Sequence, residues 1–265
     1  MATCYRHPSR ETGVSCSNCG NPICPDCMTA TPVGMRCPDC ARQKTQTRSL
    51  QSVAVEPIVT YVLIALNVAI FFGARSSISA QNNLILFGPA VADGDYWRLI
   101  TSGFLHVEIT HILLNMLSLY WLGRMIEPAL GHARFLGIYM ASLLAGSLGV
   151  IILSNDEATL GASGAIYGLL GAAIVMARNR NISLIQSGLV PILVLNFALT
   201  VTLPGISLGG HVGGFVGGLI STFFVEQLAM RRQKSTGPAV VACAVVGIAA
   251  GVAAAVLASP VTAGF

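Results

Sequence analysis

Apolar and polar positions fall in blocks along this chain. Residues 1–56 are polar and rich in cysteine, whereas residues 57–258 are apolar runs separated by short polar breaks. Seven runs stand out, at 57–74, 109–123, 135–153, 162–177, 182–203, 208–229 and 239–258. A membrane-spanning helix needs about 20 apolar residues, or about 17 if short. The second and fourth runs are short for full spans. Such segments still work where their polar neighbours dip into a protein-lined cavity instead of facing lipid. The pattern predicts an all-α polytopic membrane protein with a small polar module in front. The expected parts are a module at 1–42, a linker at 43–56, a six-helix membrane domain at 57–230, and a loop and seventh transmembrane helix at 231–265.

Composition sharpens this reading. Hydrophobic residues make up 54% of the 265 positions and charged residues only 10%, where a soluble domain carries about 25% charge. The net charge of +4 does not argue for nucleic acid. The start has no apolar core after Met1 and is not expected to be a signal peptide. Charge placement is more telling. Arg36, Arg42, Lys44 and Arg48 precede the first run, Arg124 and Arg134 flank the break after the second, Arg178 and Arg180 follow the fourth, and Arg231, Arg232 and Lys234 follow the sixth. The alternate breaks carry Asp93, Asp95, Glu108, Asp156 and Glu157, although Arg75 and Arg98 also lie there. By the positive-inside rule the N-terminus is expected in the cytoplasm and, after seven spans, Phe265 outside. A bacterial cell membrane is the expected location.

A few polar residues stand inside the apolar part. Ser163 opens the fourth run in Gly161-Ala162-Ser163-Gly164, and His211 opens the sixth in Gly209-Gly210-His211-Val212-Gly213-Gly214. The topology puts both at outer helix ends, on one membrane face. Ionisable groups in a bilayer are costly and default to function, and a serine hydroxyl beside an imidazole is the minimum kit for nucleophilic catalysis. Glycines four apart, such as Gly164 and Gly168 or Gly210, Gly214 and Gly218, let helix backbones approach closely. Tyr167 shares a helix face with Ser163 and is expected to pack against His211. His111 and Asn115, also four apart, share a face and can stabilise an oxyanion together, with His106 in the preceding loop. No acid is obviously placed to orient His211, so a dyad is expected. Asn67 and Asn196 are expected to be packing polars.

The ordered set resembles the rhomboid family of intramembrane serine proteases. The matching residues are Trp97-Arg98, His106, His111 with Asn115, Gly123, Glu127 and Gly131, Gly161 with Ser163, Gly164, Tyr167 and Gly168, and His211 with Gly214 and Gly218. The resemblance covers roughly residues 57–230. It implies that Ser163 is the nucleophile and His211 its general base, and that His111, Asn115 and the Ser163 backbone N–H stabilise the oxyanion. It also implies a six-helix core with Trp97 and Arg98 in the loop between the first two spans, Glu127 in a structural network, no cofactor for catalysis, and transmembrane proteins as substrates. The seventh span is an addition to that core, and Gly209-Gly210 before His211 is a mild departure.

The N-terminal block carries Cys4-x2-His7, Cys16-x2-Cys19, Cys24-x2-Cys27 and Cys37-x2-Cys40. Four pairs at this spacing are a zinc signature, and they fit two tetrahedral ions. A disulfide scaffold is disfavoured in the reducing cytoplasm. About forty residues build little core, so metal must supply folding energy. Cys243, in the last run, is left over. The block resembles B-box-type zinc fingers, which implies interleaved ligands: Cys4, His7, Cys24 and Cys27 at one ion, and Cys16, Cys19, Cys37 and Cys40 at the other. Sequential pairing stays open. With no free coordination position the zinc is expected to be structural, and the module regulatory or partner-binding.

Three rivals make distinct demands. A non-catalytic, rhomboid-like escort of membrane proteins lacks the serine or the histidine. A transporter predicts internal repeats, and none is visible. A metalloprotease using His106, His111 and His211 lacks an HExxH signature.

Overall fold

The computed structural model describes residues 2–42, 55–74, 77–202, 205–230 and 236–260. Most of the expected linker, with Lys44 and Arg48, lies outside the described residues, as do Arg75, Arg231, Arg232 and Lys234. The chain divides into two compact units, Met1–Ala54 and Val55–Phe265.

The first unit is small and poor in apolar packing. Strands β1 (Ala2–Thr3) and β2 (Glu11–Thr12) pair antiparallel, as do β3 (Thr29–Thr31) and β4 (Gly34–Arg36), and a single helical turn, α1 (Pro38–Ala41), follows. Its buried cluster consists of Ile23 and six cysteines, with Tyr5 and Met28 packed against it. One aliphatic side chain cannot offset the entropy of ordering some forty residues at about 1–2 kcal/mol each.

The second unit is helical. Helix α2 (Ile58–Ala74) leads into three short helices, α3 (Ile78–Leu84), α4 (Gly88–Ala92) and α5 (Arg98–Thr101). Then come α6 (Ile109–Leu130), α7 (His132–Ser154), α8 (Ser163–Asn179), α9 (Leu189–Thr202), α10 (Leu208–Met230) and α11 (Gly237–Leu257). Each apolar run thus corresponds to one helix of at least 14 residues. On length and composition alone, α7, α10 and α11 are suited to cross a membrane, and α2 and α9 are shorter apolar helices.

Two boundaries differ from the sequence pattern. The run at 109–123 continues as helix to Leu130, because Arg124, Glu127 and Pro128 interrupt apolarity but not the helix; Gly131, at φ 84, ends it. The run at 182–203 is helical only from Leu189, after Asn181 and Gly188 with positive φ. The segment from Arg98 to Phe104 meets α6 at 95°.

Helix α7 is central and packs against α10, α8 and α11. Phe135, Ile138 and Tyr139 on it are fully buried. At the α7–α8–α10 junction backbone meets backbone. A methyl group on Gly146 or Gly164 would lie about 3.0 or 3.1 Å from the Gly210 carbonyl. That contact holds the first turns of α8 and α10 together. Glu127, also fully buried, accepts from the N–H groups of Val59 and Thr60 at 2.8 Å each, and from the Thr60 hydroxyl and the His132 ring. It thereby caps α2 and fastens it to α6, since the first N–H groups of a helix lack internal partners. Arg98 is buried, paired with Asp95 and bonded to the carbonyls of Asn82 and Ile85, and it pins the short helices before α6.

Candidate active site

Ser163 is the first residue of α8. Gly161 before it has φ 125, and a methyl group there would meet His111 Nε2 at 2.9 Å. Glycine is therefore required twice, for the left-handed turn and for the close approach. The turn leaves the Ser163 hydroxyl at the helix N-terminus, where unpaired N–H groups and the helix dipole favour negative charge.

His211 lies in the first turn of α10 and is 6% exposed. Its Nε2 is 2.9 Å from Ser163 Oγ. The Tyr167 ring stacks on the imidazole, with centroids 3.8 Å apart and planes 15° from parallel. On its other side His211 Nδ1 is 2.7 Å from Thr200 Oγ1. Thr200 is the buried residue of α9. The hydroxyls of Tyr167 and Thr200 lie 2.8 Å apart, and each reaches the Asn196 carbonyl, at 2.8 and 2.9 Å.

Ser163, His211, His111, Asn115, Tyr167 and Thr200 line one cavity of about 550 Å³. Asn115 is held by its own helix: its Nδ2 donates to the His111 carbonyl at 2.9 Å. One amide proton is committed there, and the second remains for the cavity. His106 is not in the lining. It is 4% exposed, its ring nitrogens have no hydrogen-bond partner among the described residues, and it packs edge-on to His111 at 4.9 Å. Its ring contact with the site is to His111.

Thr200 escaped the sequence reading. A threonine in an apolar helix ordinarily bonds back to its own backbone, and Thr200 does so too. Asn196 matters through its main-chain carbonyl, which no sequence signal marks; its side chain bonds back to the Ile192 carbonyl.

The family comparison agrees with this architecture. The rhomboid domain model matches residues 93–228. This chain belongs to the rhomboid family. It is 34% identical over 192 residues to the rhomboid protease GluP of Bacillus subtilis, covering 69% of this chain and 36% of that one. It is 36% identical over 141 residues to YdcA of the same bacterium, covering 51% and 71%. It is 33% identical over 146 residues to RHOMBOID-like protein 4 of Arabidopsis thaliana, covering 52% and 36%. The chain thus spans about a third of the length of GluP and of RHOMBOID-like protein 4. A rhomboid with these apolar helices is an integral, multi-pass membrane protein.

The first unit holds two further groups of ligand atoms. Cys4, His7, Cys24 and Cys27 form one, and Cys16, Cys19, Cys37 and Cys40 the other, with the ligand atoms of each within 4.8 Å of one another. The first pair in sequence joins the third and the second joins the fourth, so the grouping is interleaved. His7 Nδ1 lies 3.3 and 3.4 Å from the sulfurs of Cys24 and Cys27. Backbone N–H groups point at sulfur: Cys37 donates to Cys16 and Cys40 to Cys37, both at 3.3 Å. The N–H groups of Cys19 and Cys37 draw the Cys16 thiol down to about 6, toward the thiolate that binds metal. Cys3His and Cys4 sets fit zinc, which would supply the cohesion this unit otherwise lacks.

Proposed function

We propose that this protein is an intramembrane serine endopeptidase that cleaves transmembrane proteins with a Ser163–His211 dyad. The observation that carries the reading is the 2.9 Å contact between Ser163 Oγ and His211 Nε2 in the wall of a cavity of about 550 Å³. His211 Nε2 takes the hydroxyl proton as Ser163 Oγ attacks the scissile carbonyl. The oxyanion forms at the start of α8, where the Ser163 N–H, His111 and the free Asn115 proton stabilise it. His211 then returns the proton to the leaving amine, and water activated by the same nitrogen releases the acyl group. Tyr167 holds the imidazole plane throughout. No metal or cofactor has a part in these steps. An escort role is not favoured, because both members of the dyad are in place.

We assign residues 1–42 to a B-box-like module with two structural zinc ions, 43–56 to a linker, 57–230 to the six-helix domain and 231–265 to the added helix. Closed ligand sets leave no position for water or substrate, so the module regulates or recruits, through a cytoplasmic partner or a substrate tail. The charge distribution supports a cytoplasmic N-terminus, and we place the protein in a bacterial cell membrane.

The test is cleavage of a fluorescent single-span substrate in detergent, with fluorophosphonate labelling in parallel. Ser163→Ala and His211→Ala should each abolish turnover, and Ser163→Ala should abolish labelling, with helicity unchanged. Near-wild-type turnover by Ser163→Ala ends the serine-protease reading.

A further inference from the structure

The cavity around His211 contains one contact that a two-residue mechanism leaves unused. His211 Nδ1, the ring nitrogen facing away from Ser163, meets the hydroxyl of Thr200 at 2.7 Å. We propose that Thr200 is a positioning residue: it accepts the Nδ1 proton of His211 and so fixes the tautomer in which Nε2 is free to act as base. This inference rests on the dyad reading above.

Counting protons supports the assignment. Four short polar contacts make up this cluster: Thr200 Oγ1 meets His211 Nδ1 at 2.7 Å, the Tyr167 hydroxyl at 2.8 Å and the Asn196 carbonyl at 2.9 Å, and that carbonyl meets the Tyr167 hydroxyl at 2.8 Å. If His211 carries its proton on Nδ1, three protons are available to these contacts, from His211, Thr200 and Tyr167. One contact is then left without a proton; if the proton sits on Nε2, only two are available and two contacts are left lone pair against lone pair. Buried polar groups left so are costly. The first arrangement has the His211 N–H donating to Thr200 Oγ1 and the Thr200 hydroxyl donating to Asn196. Tyr167 then donates to Thr200 or to Asn196. It is also the arrangement in which Nε2 accepts the Ser163 proton, as a general base must.

Placement gives Thr200 a second consequence. It is the one buried residue of α9, whose other side chains are partly or fully exposed. Of the helices with at least 14 residues, the one with the fewest buried side chains therefore supplies the group that orients the base. An outward shift of α9 would remove this acceptor from His211, together with the Thr200 and Asn196 partners of the Tyr167 hydroxyl.

The experiment compares Thr200→Val, which keeps the shape and removes the hydroxyl, with Thr200→Ser, which restores it. Full-length protein in detergent is assayed with the fluorescent single-span substrate. Thr200→Val should lower kcat about 10- to 100-fold, below the full range ascribed to general base catalysis, with KM within about twofold. Fluorophosphonate labelling, which needs no substrate, should slow by a similar factor. Thr200→Ser should recover kcat to within about threefold of wild type. In ring-15N-histidine protein, the His211 signals, identified by their loss in His211→Ala, should report a protonated Nδ1 in wild type and a mixture of tautomers in Thr200→Val. Wild-type kcat in Thr200→Val, a Thr200→Ser variant as slow as Thr200→Val, or a protonated Nε2 in wild type each overturns the proposal. The wild-type spectrum decides the matter even if Thr200→Val does not fold. These outcomes are separate from the dyad test: an inert Ser163→Ala with an unaffected Thr200→Val removes the positioning role alone.

Discussion

At the scale of single residues, the role of each side chain in the site is set by which partner is already taken. Asn115 shows this well. Its amide gives one proton to the His111 carbonyl 2.9 Å away, which fixes its rotamer and leaves the other proton for an oxyanion. It is one donor among several, so Asn115→Ala should weaken cleavage without ending it. The expected loss is about 10²–10³ in kcat, the usual effect of removing one such donor. Steady-state kinetics on the fluorescent substrate check this, and an unchanged kcat removes Asn115 from the oxyanion site. His106 belongs to a different class. It touches His111 and not the cavity, so its influence runs through packing.

Among the elements, α7, α8 and α10 decide whether Ser163 and His211 meet. Their glycines let main chains touch, and dispersion across such a close contact replaces the hydrophobic effect that lipid cannot supply. A methyl group on Gly218 would overlap the Gly168 backbone, whereas one on Gly251 of α11 would sit 3.5 Å from Leu144 Cδ2, an ordinary contact. Gly218→Ala should therefore push α8 and α10 apart, cost about 1–3 kcal/mol as overpacked sites do, and reduce cleavage at least about tenfold. Gly251→Ala should leave both properties near wild type. Thermal unfolding in detergent together with cleavage rates distinguishes the two, and equal behaviour of the variants counts against a backbone-to-backbone junction.

At the scale of the molecule, two units rest on different sources of cohesion. The helical unit has its own packed interior. The N-terminal unit has Ile23 and a set of cysteines. Metal analysis of the purified protein should find about two zinc ions per chain, and a strong chelator should unfold residues 2–42 while leaving helicity elsewhere intact. Deleting residues 1–48 should spare cleavage of a generic substrate in detergent and alter cleavage of a native one in membranes. Absence of zinc refutes the module; a folded but inert truncation refutes the separation of roles.

Much of this was legible before any coordinates. Blocks of apolar residues determine that the chain is helical and membrane-embedded, because a backbone in lipid must satisfy its own hydrogen bonds. Spacing determines that Ser163 and Tyr167, and His111 and Asn115, share faces, because helical periodicity is local. Paired Cys-x2-Cys and Cys-x2-His motifs announce metal for the same local reason. Charge in α6 hid its true length, since Arg124, Glu127 and Pro128 read as a break although the helix runs to Leu130. What only the tertiary structure decided is which distant groups meet. The interleaving of the cysteine pairs, the approach of Gly164 to Gly210 and the seat of Thr200 on His211 all join residues far apart in the chain. Such contacts depend on how helices cross and how a carbonyl such as that of Asn196 is aimed, and those are properties of packed backbones, not of residue types.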